Sequence, residues 1–497
     1  MTNHLNRASN AVSASGQQAS AASLTFPPGF LWGAATAAYQ VEGAAHEGGR
    51  TDSIWDTFAR VPGAVLDGHD GEVACDQYHR MVEDVDLMAR LHLASYRFST
   101  SWSRVRPDGG PLNPTGVGYY SRLVDELLGA GLTPWLTLYH WDLPQALQDK
   151  GGWANRDTAF RFAEYALDMH EALGDRVATW TTLNEPWCSA FLGHVAGIHA
   201  PGRQDPAEGL AAAHHLLLGH GLAVTELRSR APEATLGITL NLSVTDPFDA
   251  SEPGDVEAAR LLDGQFNRIF LDPLLRGSYP VDVLADVAHL GLLDHVEDGD
   301  LEIISAKIDA LGVNYYHGHA ASLSPEPAAL DEPAPSVRPT SSPFPAAGGA
   351  HHRRRGLPLT GIGWEVQAEG LTRLLVRLQE EYTGPAGVAL YITENGAAYP
   401  DVPDAEGFVQ DDDRLDYYDQ HLRALHEAVK RGVDVRGYFA WSLLDNYEWS
   451  FGYHQRFGIV RVDYDTQVRT PKASALWYAQ VARDNSVPAR TTEPATA

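Results

Sequence analysis

Two glutamates stand where a strand gives way to a loop. Ala389-Leu390-Tyr391-Ile392-Thr393-Glu394-Asn395-Gly396 begins as an apolar, β-branched run and ends in a carboxylate, an amide and a glycine. Thr181-Thr182-Leu183-Asn184-Glu185-Pro186 has the same form far earlier in the chain. An ionised carboxylate at the end of a buried strand is costly unless it is paired or used. On the carboxyl end of a parallel strand it faces the region where α/β enzymes keep their chemistry. One such glutamate is readily a helix cap or a solvated side chain. Two of them are what a pair of cooperating carboxylates needs.

The elements that would position them recur along the chain. Strand-like runs fall at 31–38, 95–99, 133–140, 179–185, 235–241, 310–316, 389–394 and 436–442. Amphipathic stretches at 78–91, 119–130, 160–173, 258–275, 370–381 and 414–431 read as helices between them. Alternating strands and helices give βα units and a parallel sheet. Eight of them predict an α/β chain whose residues 24–480 form a single (β/α)8 TIM barrel with elaborated βα loops. An open, doubly wound sheet is disfavoured because no Gly-x-Gly-x-x-Gly follows the first strand. Residues 321–361, rich in Pro, Ala and Ser, read as one long loop insertion. Within it His351-His352-Arg353-Arg354-Arg355 reads as a solvated face on an acidic protein.

Composition narrows the function classes. Among 497 residues, Lys and Arg number 37 against 65 Asp and Glu, a net charge of −28. That balance disfavours nucleic acid and anionic membranes as partners. Two cysteines, Cys75 and Cys188, supply neither a disulfide framework nor a Cys-based metal site, which suits a reducing, cytoplasmic setting. No run of eighteen apolar residues proposes a membrane helix. Residues 1–23 lack an apolar core of the signal-peptide kind and read as a disordered leader, and 481–497 as a disordered tail.

The expected strand ends carry a consistent set of groups. They offer Gln40, Arg97, His140 with Trp141, Asn184 with Glu185, Asn241, Asn314 with Tyr316, Glu394, and Trp441. Glu448 and Trp449 follow in the loop after the eighth. Singly, His140 is a core histidine, the tryptophans are packing and the asparagines are turn residues. Together they put amides, carboxylates, an imidazole and indoles on one face of a barrel. Such a face suits a ligand rich in hydroxyls with apolar ring faces, which describes a sugar.

The chain resembles the family 1 glycoside hydrolases, the family of β-glucosidases. The segments that carry the likeness are Phe30-Leu31-Trp32-Gly33-Ala34-Ala35-Thr36, Arg97-Phe98-Ser99, His140-Trp141-Asp142-Leu143-Pro144, Thr182-Leu183-Asn184-Glu185-Pro186, Gly312-Val313-Asn314-Tyr315-Tyr316, Ile392-Thr393-Glu394-Asn395-Gly396 and Trp441-Ser442-Leu443-Leu444-Asp445-Asn446-Tyr447-Glu448-Trp449. The resemblance implies a retaining β-glycosidase that takes a small-molecule β-glucoside, with no cofactor and no metal. It implies Glu394 as nucleophile, supported by Arg97 and Tyr316, and Glu185 as acid and base. Gln40, His140, Trp141, Asn184, Asn314, Trp441, Glu448 and Trp449 would bind the sugar, with Trp364 and Phe457 on the leaving-group side.

Two other readings are open. A 6-phospho-β-glycosidase would need cationic or donor-rich surroundings for the phosphate. Relatives of that kind are expected to carry Ser, Lys and Tyr at the places of Glu448, Gln455 and Phe457. Arg456 could supply the missing charge only by turning into the pocket. A catalytically inactive sugar-binding relative would be signalled by loss of a glutamate, and both stand in their motifs.

Overall fold

Runs dense in β-branched and aromatic residues pair side by side in parallel: β1 (Leu31–Ala35), β2 (Ser95–Ser99), β3 (Thr133–Tyr139), β4 (Thr179–Asn184), β5 (Thr235–Asn241), β6 (Ala310–Asn314), β7 (Ala389–Asn395) and β8 (Val435–Trp441). This computed structural model describes residues 23–324 and 338–490. Neighbouring strands pair in chain order, and β8 returns to β1 with Gly437 opposite Leu31 and Trp441 opposite Ala35, which closes the barrel. The expected (β/α)8 architecture is therefore the observed one. The strands are buried along nearly their whole length, as strands covered on both faces must be.

Helices form the outer layer: α1 (Gln77–Arg90), α2 (Pro114–Gly129), α3 (Asp157–Leu173), α4 (Pro206–Arg230), α5 (Pro253–Asp263), α6 (Ala368–Leu378), α7 (Asp412–Lys430) and α8 (Ala473–Asp484). In α2 the reasons are local. Asn113 accepts a hydrogen bond from the Thr115 N–H, and Pro114 occupies the first helical position, where no N–H is needed. Tyr119, Tyr120, Leu123, Val124 and Leu127 then turn one face to the barrel. Each such buried side chain contributes about 1.5–3 kcal/mol. The expected helix at 258–275 is broken: α5 gives way to a π-turn at Gly264–Arg268, and a further helix, Ile269–Arg276, carries Pro273 inside it.

Two expectations are corrected. Residues 481–490 are not a disordered tail. Helix α8 runs to Asp484, and Ser486–Val487 pair antiparallel with Leu24–Thr25. The Asn485 carbonyl accepts the Phe26 N–H at 3.0 Å, and its side chain accepts from Trp32 Nε1 at 2.9 Å, at the amino end of β1. The second correction concerns 321–361, whose described part is not free of secondary structure. His351–His352 pair antiparallel with the strand His319–Ser322, which in turn pairs in parallel with Thr245–Pro247. Residues 1–22, 325–337 and 491–497, the rest of the leader, insertion and tail, lie outside the described residues. Among the described residues, no helix is long and apolar enough to cross a membrane.

The barrel interior under the strand ends is tight and polar. A Cβ on Gly312 would stand 2.3 Å from Thr239 Oγ1 and 2.7 Å from Thr393 Oγ1. Only glycine lets β5, β6 and β7 approach this closely, and the groups above them inherit that rigidity.

Candidate active site

Both glutamates are re-aimed by irregularities in the ladder. The pairing of β7 with β6 slips between Ile392 and Glu394, and that of β4 with β5 slips between Thr181 and Asn184. Such bulges turn a side chain away from its regular face. Glu185 itself has φ 47°, and Trp141 and Trp449 share the left-handed region at 78° and 49°. Non-glycine residues hold that conformation only where the surroundings enforce it.

The two carboxylates meet over a shared network. Arg97 reaches up from β2 and donates from Nη1 to Glu394 Oε1 at 2.7 Å and from Nη2 to Asn184 Oδ1 at 2.6 Å. Tyr316 donates its hydroxyl to Glu394 Oε2 at 2.7 Å. Asn314 Nδ2 donates to Glu185 Oε1 at 2.7 Å and to Asn184 Oδ1 at 3.1 Å, while its own Oδ1 accepts from Thr393 at 2.7 Å. Asn184 Nδ2 donates to His140 Nε2 at 3.1 Å. Trp141 Nε1 donates to the Asn184 carbonyl at 2.8 Å. Each amide is thus oriented by the groups it holds.

Electrostatics separates the pair. Burial, followed by the charge of Glu394, pushes Glu185 up to about 8, against the hydrogen bonds of Asn314 and Cys188. Burial raises Glu394 as well, but Arg97 first and then Tyr316 pull it back. One carboxyl has a buried guanidinium at 2.7 Å and the other has only neutral donors. The first is built to stay ionised, the second to hold a proton.

Among the polar atoms in this region that are buried and lack protein partners are Gln40 Oε1, His140 Nδ1 and Glu448 Oε2. Burial and the charge of Arg97 hold the His140 imidazole well below its ordinary pKa, so it is neutral, with Nε2 accepting from Asn184 and Nδ1 carrying the proton. Glu448 is half-buried overall and reaches the cavity, yet burial and the charges of Glu394 and Glu185 push it up to about 8. Gln40 is fixed by donating to Asn446 Oδ1 at 3.0 Å and the Tyr447 carbonyl at 2.8 Å. Orphaned buried acceptors and donors of this kind are satisfied by a ligand with hydroxyls.

Aromatic rings complete the walls. His140 lies nearly parallel to Trp441 at 5.7 Å and to Trp449 at 5.9 Å. On the outer side Tyr316, Trp364 and Phe457 meet within 5.4–6.2 Å of one another. The cavity they enclose measures about 780 Å³ and is lined by Glu185, Glu394, His140, Trp141, Asn314, Trp441, Glu448 and Trp449. Arg97 and Asn184 stand behind that lining and touch it through hydrogen bonds to Glu394 and His140, while Gln40 is held behind it by Asn446 and Tyr447. The structure thus brings the expected site residues together.

Other groups at this cavity were not foreseen. The Cys188 thiol donates to Glu185 Oε2 at 3.1 Å from the first residue of a π-helix, Cys188–Ala196. The basic block is only partly the solvated face expected of it. His352, Arg353 and Arg354 line the outer cavity, and His352 stacks on His319 at 3.8 Å. Arg355 is drawn inward to Glu365 and Gln367. Arg456 turns away from the cavity, donating to Asp445 Oδ2 at 2.7 Å and the Val462 carbonyl at 2.9 Å.

Known proteins match this chain over most of its length. Residues 22–487 match the profile of glycosyl hydrolase family 1. Thermostable beta-glucosidase B of Thermobispora bispora is 50% identical over 469 residues, covering 94% of this chain and 92% of its own. The crystal structure of the psychrophilic beta-glucosidase BglU from Micrococcus antarcticus superposes with a TM-score of 0.91 at 55% identity, over 93% of this chain and 98% of that one. The family 1 β-glucosidase of Thermotoga maritima gives 0.85 at 43% identity, over 93% and 99%. With matches of this length and identity, the chain belongs to glycosyl hydrolase family 1.

Proposed function

We propose that the protein is a retaining β-glucosidase that removes terminal β-glucosyl residues from short glucosides such as cellobiose or aryl and alkyl β-glucosides. The observation that carries this reading is the contrast within the glutamate pair: Glu394 on a buried arginine, Glu185 on neutral donors. Glu394 attacks the anomeric carbon and forms a glycosyl ester as the glycosidic bond breaks, while Glu185 gives its proton to the departing oxygen. The ester removes the charge of Glu394. Glu185, now relieved of that neighbour, takes a proton from water as the water attacks the same carbon and frees Glu394. Asn184 keeps one amide proton for the sugar 2-hydroxyl, since only one of the two is given to His140. Gln40, His140 and Glu448 satisfy their orphaned atoms on the other hydroxyls, and Trp441 takes a ring face. Trp364 and Phe457 border the leaving group.

The phosphorylated-sugar alternative loses the cation that the loop after β8 could have offered, because Arg456 is committed to Asp445 while Glu448 of the same loop lines the cavity. Two buried, unpaired cysteines suit a reducing compartment such as the cytoplasm. The mechanism is tested by proton NMR of the first-formed sugar. The β anomer is expected before mutarotation, and an α anomer would overturn the roles given to both glutamates.

The pH profile follows from the same pair. Glu185 works as an acid only while protonated, so kcat/KM is expected to fall as pH rises through about 8. In Glu394→Gln the partner's charge is gone, and an NMR titration of Glu185 is expected to show a lower pKa. It should remain above that of a free glutamate, because burial is the larger cause. An unchanged value would mean that the two carboxyls are not coupled.

A further inference from the structure

Outside the cavity, three side chains of metal-ligand type converge at the surface. Asp67 lies in the turn Leu66–Gly68 with φ 54°, His69 follows it, and His454 comes from the loop after β8. His454 Nε2 and Asp67 Oδ2 are 2.9 Å apart, and the two imidazoles lie within 30° of parallel at 5.3 Å. One ligand atom from each residue falls within 4.8 Å of the other two. A tetrahedral zinc ion with bonds of about 2.0–2.2 Å would draw them to roughly 3.3 Å. Asp67 and His454 are exposed, so the closure costs only surface side-chain movement. Two imidazoles with one carboxylate favour the Zn²⁺, Cu²⁺ and Ni²⁺ class over Mg²⁺ or Ca²⁺.

The site is wired to the loop that carries the sugar contacts. His69 Nδ1 accepts the Tyr453 N–H at 3.2 Å, and Tyr453 donates its hydroxyl to the Asp70 carbonyl at 2.7 Å. Gly452 presses against the same ring, since a Cβ there would stand 2.5 Å from Nδ1. The Gly452 carbonyl in turn accepts the Glu448 N–H at 2.7 Å, and the Gly452 N–H donates to the Trp449 carbonyl at 3.0 Å. Neutral His69 has one proton, and with Nδ1 accepting it sits on Nε2. A cation at Nδ1 displaces the Tyr453 N–H directly. A cation at Nε2 sends the proton to Nδ1, where it faces that N–H head on. Either way the bond to Tyr453 is lost.

We propose that Asp67, His69 and His454 form an inhibitory site for a divalent transition-metal ion, whose binding frees Tyr453 and loosens the loop holding Glu448 and Trp449. The ion takes no part in the hydrolysis. The test titrates the tag-free chain with zinc chloride, reading binding by calorimetry and hydrolysis of p-nitrophenyl β-glucoside in parallel. One zinc per chain is expected at micromolar concentration, with a matching rise in KM or fall in kcat that EDTA reverses. Asp67→Asn and His454→Ala leave the metal-free activity unchanged and are expected to weaken both zinc binding and inhibition by about tenfold or more. Absence of binding up to millimolar zinc overturns the site. Equal binding and inhibition in wild type and both variants would place the ion elsewhere and overturn it too. Binding without a change in kinetics would overturn the link through Tyr453.

Discussion

Glu394→Gln is expected to abolish turnover of every β-glucoside, by on the order of 10⁶-fold, the scale on which loss of an attacking side chain acts. The glutamine is nearly isosteric and its carbonyl still accepts from Arg97, but an amide does not form the glycosyl ester. A better leaving group gives no relief, because the missing bond is to the sugar carbon and not to the aglycone. The check is single-turnover kinetics on p-nitrophenyl and 2,4-dinitrophenyl β-glucosides. Residual rates that differ strongly between the two substrates would argue that another group attacks. Arg97 is 1% exposed and loses its counter-ion in this variant. A buried charge left so is destabilising by about 3–5 kcal/mol, so circular dichroism must accompany the kinetics.

Glu185→Ala is expected to fail selectively. Alkyl glucosides and cellobiose leave as poor anions and need the proton, so their turnover should drop by about 10²–10⁴-fold. The 2,4-dinitrophenolate leaves without help, and its glucoside should lose far less in the first step. Deglycosylation then becomes slow, because water has lost its base, and a burst of phenol ahead of steady state is the expected signature. Equal losses on activated and unactivated substrates would remove Glu185 from the role of proton donor. The alanine also frees Asn314 and Cys188 from their shared acceptor. Asn314 retains Asn184 and Thr393, which limits the disturbance.

The chemistry was legible in the sequence where local patterns and strand ends coincide. Thr182-Leu183-Asn184-Glu185 and Ile392-Thr393-Glu394-Asn395 announce buried strands that stop at a carboxylate, and β4 and β7 end within a residue or two of the expected limits. Helix α4 was not legible because it is buried on nearly all sides, from Leu210 to Leu227, which erases the periodicity that marks a surface helix. The role of Cys188 depends on a π-helix opening beside Glu185, which no spacing rule encodes. His351–Arg354 misled for another reason. A basic run on an acidic chain reads as solvated, and only its pairing with the strand His319–Ser322 carries it to the cavity. That contact is long-range, as are the tautomer of His140 and the withdrawal of Arg456.

The pairing of Leu24–Thr25 with Ser486–Val487 has a practical meaning. The seam sits at the amino end of β1, whereas the cavity opens beyond the carboxyl ends of the strands. Five to seven strand residues separate the two faces, roughly 16–23 Å measured along the tilted strands. The molecule is therefore polarised, with one pole for catalysis and the opposite pole for handling. A resin, a scaffold or a second enzyme attached through this seam would leave the mouth facing solvent, with substrate entry and product escape unobstructed.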